Sequence, residues 1–352
     1  MESTSTYTGK TFLSAFFTRA FMWFCMYMLV LVLYILLGKS FHINGLEQSL
    51  PAWYRLVIES AWILPCIFMA GILTYRNRIR LYRTISYGSI LFYVISFLFL
   101  LPMLSADSNF LREEGYDFMH TYSLLIFPLC LCVKRRHRMK RVLWLSVLLA
   151  FVYMTFRTAI TTSILVLLLS VLIVLFYSPG SGLRTVFSLV SFVIILLVLN
   201  SFGAFAGILD SLMPYFEGTP VEYKLYDIRE SLQRGYLTGD SLTVRMDLHK
   251  MSLDAFCRNP VLGSKGVGGH SKILDLAGSA GLLAFVPYVM IIVSVLKDYL
   301  RLAVSREAKA YLVISFLLSG IYLYTKGVFG TPGYMSMFVI VPSIIMSLNL
   351  KD

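Results

Sequence analysis

The chain has 352 residues, of which 58% are hydrophobic and only 14% are charged, and its mean hydropathy is +0.75. Soluble domains are about 45–50% apolar and about 25% charged, so the composition excludes that class and predicts a polytopic membrane protein. The formal net charge of +12 does not indicate nucleic-acid binding, because the basic residues cluster between apolar spans, where membrane topology accounts for them.

Ten apolar segments approach the length of about 20 residues that a membrane-spanning helix needs. The first is too long for the core of a signal peptide, so we predict that it is retained. The fifth and sixth are short, and they fit either two tilted helices or one broken pair. The predicted spans are 14–37, 54–74, 86–104, 117–133, 142–156, 160–177, 185–209, 281–297, 310–326 and 333–349.

Three short segments between the spans are rich in lysine and arginine: 76–83, 134–141 and 297–309. They fall on one side if ten helices alternate in direction, and such loops mark the cytoplasmic face. Both termini are therefore predicted to be cytoplasmic. The predicted organisation is all-α, with seven membrane helices in 1–209, an extracytoplasmic loop in 210–280 and three membrane helices in 281–352.

The long outer loop has helical periodicity of its own. Apolar residues recur at helical spacing within 220–237, and a second helix can begin at Asp240 or Ser241, either of which can cap it. That helix must end before Asn259, because the residue preceding a proline avoids helical conformation. Four glycines follow within 263–269, and a short helical pattern begins after His270.

Cofactor motifs are not recognisable in the chain. The five cysteines form no CxxC pair and no metal-ligand spacing, so we expect neither a disulfide framework nor a zinc site. The glycine run at 263–269 lacks the GxxxxGK[ST] spacing of a phosphate-binding loop and follows no predicted strand. We therefore predict no metal and no other cofactor.

His270 is the residue with the clearest candidate role. The glycines before it allow close backbone approach, and the helix that follows has free amides at its start that can face an anion. An imidazole near neutral pKa can accept a proton from a hydroxyl group. The alternative is a histidine that only caps a loop.

Two arginines are candidates for binding an anion. Arg157 lies between the fifth and sixth predicted spans, where it is either an interfacial residue or a clamp for phosphate oxygens. Arg245 shares a helix face with His249, and the two are either an ordinary surface pair or part of a site with His270.

Other ionisable residues have structural alternatives. Arg55 and Glu59 can form an ion pair four residues apart on one helix. Lys326 is expected to be an interfacial anchor rather than a ligand contact. Lys265 and Lys272 are expected either to be solvated or to add positive charge to the site. Asp275 can either orient the site or cap a helix.

The segment NPVLGSKGVGGHSKILDLAGSAGLL resembles the O-antigen polymerase and ligase superfamily. In that family an arginine precedes a helix ending in "NP", followed by a glycine-rich "G.G", "HN" or "HS", a short helix and a glycine before the next span. Upstream, TFRTAI resembles the family's "SR" position, with Phe156 in place of the serine. The corresponding residues in the main motif are Arg245, Asn259, Pro260, Gly263, Gly266, Gly268, His270, Ser271, Asp275 and Gly281.

The resemblance implies a GT-C-like membrane glycosyltransferase that polymerises oligosaccharide repeat units carried on undecaprenyl diphosphate, without a metal. It implies lipid-linked donor and acceptor glycans and membrane lipids as partners, with a chain-length regulator as a further candidate and no nucleic acid. The expected catalytic residues are His270, Arg245 and Arg157. The expected substrate-binding residues are Arg55, His249, Lys265, Gly268, Ser271, Lys272 and Asp275.

Three other functions remain open from the sequence. A ligase would use the same donor and transfer the glycan to a lipid acceptor. A flippase or transporter would be expected to show repeated halves with broken helices near the membrane midplane, and no such repeat is visible. A sensor or structural protein would tolerate replacement of His270, Arg157 and Arg245.

Overall fold

The computed structural model describes residues 18–41, 50–76, 79–106, 116–135, 138–157, 161–177, 240–326 and 329–349, with isolated positions between 207 and 229. This part is helical, apart from turns and one antiparallel pair of two-residue strands, β1 (Ser40–Phe41) and β2 (Leu50–Pro51). Six of its helices are long and apolar enough to cross a membrane. The chain is therefore a helical membrane protein, as its composition predicts.

The long helices overlap predicted spans, except for the one at Asp240–Arg258, which matches the second helix predicted in the outer loop. In chain order the helices are α1 (Arg19–Leu36), α2 (Ala52–Arg76), α3 (Ile79–Ala106), α4 (Tyr116–Arg135), α5 (Arg138–Arg157), α6 (Thr161–Phe176), α7 (Asp240–Arg258), α8 (Lys272–Leu302), α9 (Arg306–Thr325), α10 (Thr331–Met335) and α11 (Val341–Asn349). The six candidate spans are α1, α2, α3, α8, α9 and the continuous segment of α10 and α11.

The predicted number of ten spans stays a prediction. The helices α4, α5 and α6 are not among the six candidates. With its 16 residues, α6 extends about 24 Å, which is less than the hydrocarbon thickness of about 30 Å. The predicted span 185–209 and the predicted loop helix 220–237 fall on residues outside the described part or described only at isolated positions.

The last membrane segment contains a wide helical turn, Ser336–Ile340, between α10 and α11. Pro342 follows this turn and has no amide hydrogen to donate to the carbonyl of Phe338. The hydroxyl of Tyr299 on α8 donates to that carbonyl instead, at 2.8 Å. In a membrane, where water does not reach backbone groups, this bond satisfies the Phe338 carbonyl and joins α8 to the last membrane segment.

Helix α8 is broken at Gly281, which has φ 64° and ψ −171°. The break separates a short first part from the membrane-spanning part, at the position that the sequence predicts. The carbonyl of Ala280 accepts a hydrogen bond from the Tyr34 hydroxyl of α1 at 2.6 Å. The amide of Leu282 donates to the carbonyl of Pro260 at 2.8 Å, so the loop after α7 is docked against the break.

Different helix termini meet at the two ends of the helix bundle. At one end, α8 begins beside the end of α9, where the Lys272 amide donates to the Lys326 carbonyl at 2.7 Å. At the other end, the start of α9 lies beside the end of α4, because Glu307 forms an ion pair with Arg135. Two of the three predicted basic segments therefore meet at the end opposite to the start of α8.

Candidate active site

The carboxylate of Asp275, in the first turn of α8, holds the loop that carries His270. Its Oδ1 accepts hydrogen bonds from Ser252 Oγ of α7 at 2.6 Å and from the Gly269 amide at 3.1 Å. Its Oδ2 accepts a hydrogen bond from the Ser271 amide at 2.9 Å. These bonds fix the backbone on both sides of His270. Of the two roles predicted for Asp275, the structure therefore supports the orientation of this loop.

Two glycines allow the loop and α8 to lie directly on α7. A Cβ atom at Gly268 would collide with the backbone of Leu248, and one at Gly278 would collide with the backbone of Ser252. The Gly268 amide donates to Ser252 Oγ at 2.9 Å. The structure thus assigns Gly268, a predicted substrate-binding residue, to packing between the loop and α7.

Two of the first amides of α8 are bound within the protein, so the prediction that the amides at this helix start are free to face an anion is wrong for these two. The Lys272 amide donates to the Lys326 carbonyl, and the Leu274 amide donates to Ser271 Oγ at 3.1 Å. Ser271 therefore acts as the N-cap that satisfies the Leu274 amide, and the Lys326 carbonyl satisfies the Lys272 amide, so neither needs an external acceptor.

Lys272 is not a solvated surface residue, because its side chain is only 7% exposed. Its Nζ forms an ion pair with Oε1 of Glu59, and Arg55 Nε lies 3.7 Å from the same oxygen. We call Arg55, Glu59 and Lys272 the buried triad. Arg55 also donates to Ser279 Oγ at 3.0 Å, so the triad joins α2 to the first part of α8.

The buried triad is connected electrostatically to the loop that carries His270. The Asp275 carboxylate interacts with both Arg55 and Lys272. Ser279, which accepts from Arg55, donates to the Asp275 carbonyl at 2.5 Å. The two cations and two carboxylates of this region have a formal charge sum of zero. Arg55 and Lys272 therefore serve first to neutralise buried carboxylates.

A second group of side chains, which we call the histidine face, consists of Arg245, His249, His270 and Lys326. His270 is accessible to solvent, but the protein atoms around its imidazole displace part of the surrounding water, which lowers its pKa below the ordinary value near 6.5. The positive charges of Arg245 and Lys326 lower the pKa of His270 further, while Asp275 acts in the opposite direction. The imidazole is therefore neutral at pH 7 and able to accept a proton.

His249 lies on α7 within this face, with its ring 5.2 Å from the ring of Tyr324 on α9. Partial burial lowers its pKa, and the nearby Arg245 contributes in the same direction. Its buried Nε2 has no hydrogen-bond partner among the described residues. Tyr324 was not a predicted site residue, since no motif connects it with His249.

Lys326 is buried, with 7% exposure, and its charge acts on His270. The prediction of an interfacial anchor is therefore wrong, because an anchor would extend its ammonium group into the headgroup region. The sequence contains one indication that Lys326 faces other polar groups: it lies at the outer end of a span, where an ionisable side chain is costly unless it faces a cavity or a partner.

Lys39, which follows α1, is a further residue that the sequence analysis did not single out. Its Nζ donates to the carbonyl of Leu262 and lies 3.4 Å from the carbonyl of Gly263. Burial lowers the pKa of Lys39 to about 8, and the charge of Arg55 contributes in the same direction. Lys39 thus attaches the loop after α7 to the end of α1.

One predicted site residue, Lys265, is not brought into the histidine face, and the side chain of a second, Arg157, is not described. Lys265 is exposed, and its neighbour Ser264 donates to the Ala255 carbonyl at 2.5 Å, whereas Gly268 contacts Leu248. On α7, Ala255 and Leu248 are seven residues apart, so the part of the loop that carries Lys265 lies about 10 Å further along the helix than the part that precedes His270. The Arg157 backbone ends α5, but its side chain lies outside the described part of the structure.

Across the described residues, no group of three or more histidine, cysteine, aspartate or glutamate side chains has an arrangement that could hold a metal ion. The chain matches no model of a known protein family, and a search of curated proteins finds no significant match. A function for the chain must therefore be argued from its own residues.

Proposed function

We propose that the protein is a glycosyltransferase that joins oligosaccharide repeat units carried on undecaprenyl diphosphate. The observation that carries this proposal is the histidine face, where an accessible imidazole with a lowered pKa lies near Arg245 and Lys326. A group able to accept a proton and fixed positive charges for a leaving diphosphate are the two requirements of this transfer. The resemblance of 259–283 to the O-antigen polymerase and ligase superfamily supplies the substrate class.

In the proposed reaction, a hydroxyl oxygen of the acceptor sugar attacks the anomeric carbon of the donor. The bond between that carbon and the phosphate oxygen breaks, and the hydroxyl proton passes to His270. Undecaprenyl diphosphate leaves with the negative charge, which Arg245 and Lys326 stabilise. Arg157 is assigned to the diphosphate from its residue type and position in the sequence. A direct displacement of this kind inverts the anomeric carbon and requires no metal.

The proposed membrane arrangement places the histidine face on the outer side of a bacterial inner membrane. It is supported by the position of two basic segments at the opposite end of the helices, since short basic loops mark the cytoplasmic face. In this arrangement both termini are cytoplasmic and ten spans form a GT-C-like bundle. The lipid tail of the donor reaches the site laterally between helices.

The reaction is tested with purified protein in proteoliposomes that contain undecaprenyl-diphosphate repeat units. The proposal predicts a ladder of longer glycans on a gel and release of undecaprenyl diphosphate. Transfer of one glycan block to an added lipid acceptor, without a ladder, would indicate a ligase instead. Movement of the lipid across the bilayer without a covalent product would refute glycosyl transfer and indicate a flippase.

A further inference from the structure

A cavity of about 400 Å³ lies between α1 and α8 at the end of the bundle opposite to the histidine face. Its polar end is formed by Arg19 at the start of α1 and by Lys297 and Asp298 near the end of α8. Arg19 is 15 residues from Tyr34, which contacts the break in α8, so the two places are separated by about 22 Å along α1. The cavity is therefore distinct from the candidate active site.

The remaining wall of the cavity is suited to a hydrocarbon chain. Met22 and Met26 of α1 are 54% and 50% exposed, and Met290 of α8 faces them across the cavity. Methionine side chains are flexible and adapt to irregular apolar partners. Trp23 also lines the cavity, and tryptophan is enriched at the level of lipid headgroups.

The charges at the polar end favour a phosphate group. Asp298 has a partner outside the cavity lining, because Arg301 Nη1 lies 3.5 Å from its carboxylate. Arg19 and Lys297 therefore give the cavity a positive charge that the one carboxylate does not cancel. Asp298 remains able to accept a hydrogen bond, so the ligand is expected to carry a donor group close to its phosphate.

We propose that this cavity binds an anionic phospholipid whose headgroup carries hydroxyl groups, with phosphatidylglycerol as the test ligand. Arg19 and Lys297 bind the phosphate, Asp298 accepts from a headgroup hydroxyl, and an acyl chain lies along the three methionines. Basic pockets between membrane helices bind anionic headgroups by this combination of charge and apolar wall. The proposal does not depend on the glycosyltransferase reaction.

The lipid site is tested by native mass spectrometry of the purified full-length protein with added phosphatidylglycerol or phosphatidylcholine. The wild-type protein is expected to retain phosphatidylglycerol at least tenfold better than phosphatidylcholine. The double variant Arg19→Gln/Lys297→Gln is expected to lose at least tenfold of this binding. The matched control, Arg306→Gln/Lys309→Gln, removes two exposed cations from the same end of the bundle and is expected to bind like wild type.

A second variant separates the cavity from surface charge. Met26→Trp fills the apolar wall without changing any charge, and it is expected to weaken phosphatidylglycerol binding while the cations remain. Equal retention of the two lipids by the wild-type protein would overturn the proposal. Equal loss in the double variant and its control would also overturn it, since this pair of cations would then not be the site. Full competition by soluble glycerol phosphate would overturn it as well, since the apolar wall would then contribute nothing to binding.

Discussion

Replacement of Asp275 by asparagine tests whether this carboxylate positions the loop that carries His270. The asparagine can keep one oxygen toward Ser252 and Gly269, but its amino group then faces the Ser271 amide, which is itself a donor. A hydrogen bond to a buried charged group contributes about 1.5–3 kcal/mol, and a buried unpaired donor costs about 1–3 kcal/mol. We therefore expect the free energy of local opening of the loop to fall by about 2–4 kcal/mol.

Hydrogen–deuterium exchange measured by mass spectrometry reports this opening directly. Peptides that cover 266–272 are expected to exchange about 30- to 1,000-fold faster in Asp275→Asn than in wild type, since about 1.4 kcal/mol corresponds to a factor of ten. Peptides from α11 should be unchanged, because that helix is not part of the network. The control Asp254→Asn changes an exposed carboxylate on α7 and should leave 266–272 protected.

The reasoning fails if Asp275→Asn leaves exchange of 266–272 at the wild-type rate. That result would mean that the loop is held by packing of its glycines on α7 and that the carboxylate contributes little. A uniform acceleration across all helices would also contradict it, because the predicted opening is local.

Three further predictions concern the surrounding residues. Because activity requires neutral His270 and its pKa is lowered, the acid limb of the pH profile of kcat/KM should lie below pH 6.5. Lys326→Met removes a positive charge that lowers this pKa, so it should move the acid limb to higher pH. A limb that does not move would contradict the proposed charge effect. Lys272→Met should destabilise the protein by about 3–5 kcal/mol, since it leaves two buried carboxylates, Glu59 and Asp275, beside a single cation, Arg55. Glu59→Leu added to it should restore most of the stability in detergent unfolding experiments, because the remaining cation and carboxylate again balance. Gly268→Ala should displace the loop from α7, which limited proteolysis would detect as faster cleavage within 259–271.

The helices could be predicted well because membrane spans depend on local composition. Long apolar runs require internally bonded backbone, and the end of α7 before Asn259 follows from the restriction that Pro260 places on its neighbour. The predicted start of a span at 281 coincides with the break in α8 at Gly281, where a glycine tolerates the positive φ. These features depend on residues that are adjacent in sequence.

The burial of the cations could not be predicted in the same way. Lys272 pairs with Glu59, 213 residues away, and Lys326 reaches the histidine face only because the end of α9 lies beside the start of α8. Both depend on how distant helices pack, which a single sequence does not reveal. The role of Asp275 shows the same limit, because its partner Ser252 lies on a different helix.

The rate of undecaprenyl diphosphate release from lipid-linked repeat units, measured in proteoliposomes, tests most directly whether the histidine face performs the transfer. His270→Ala should lower this rate by about 100-fold or more, the contribution of a general base, while hydrogen exchange of α8 remains as in wild type. Lys250→Ala, which removes an exposed cation of α7, should stay within about twofold of wild type. Release at the wild-type rate by a folded His270→Ala protein would contradict the proposed mechanism.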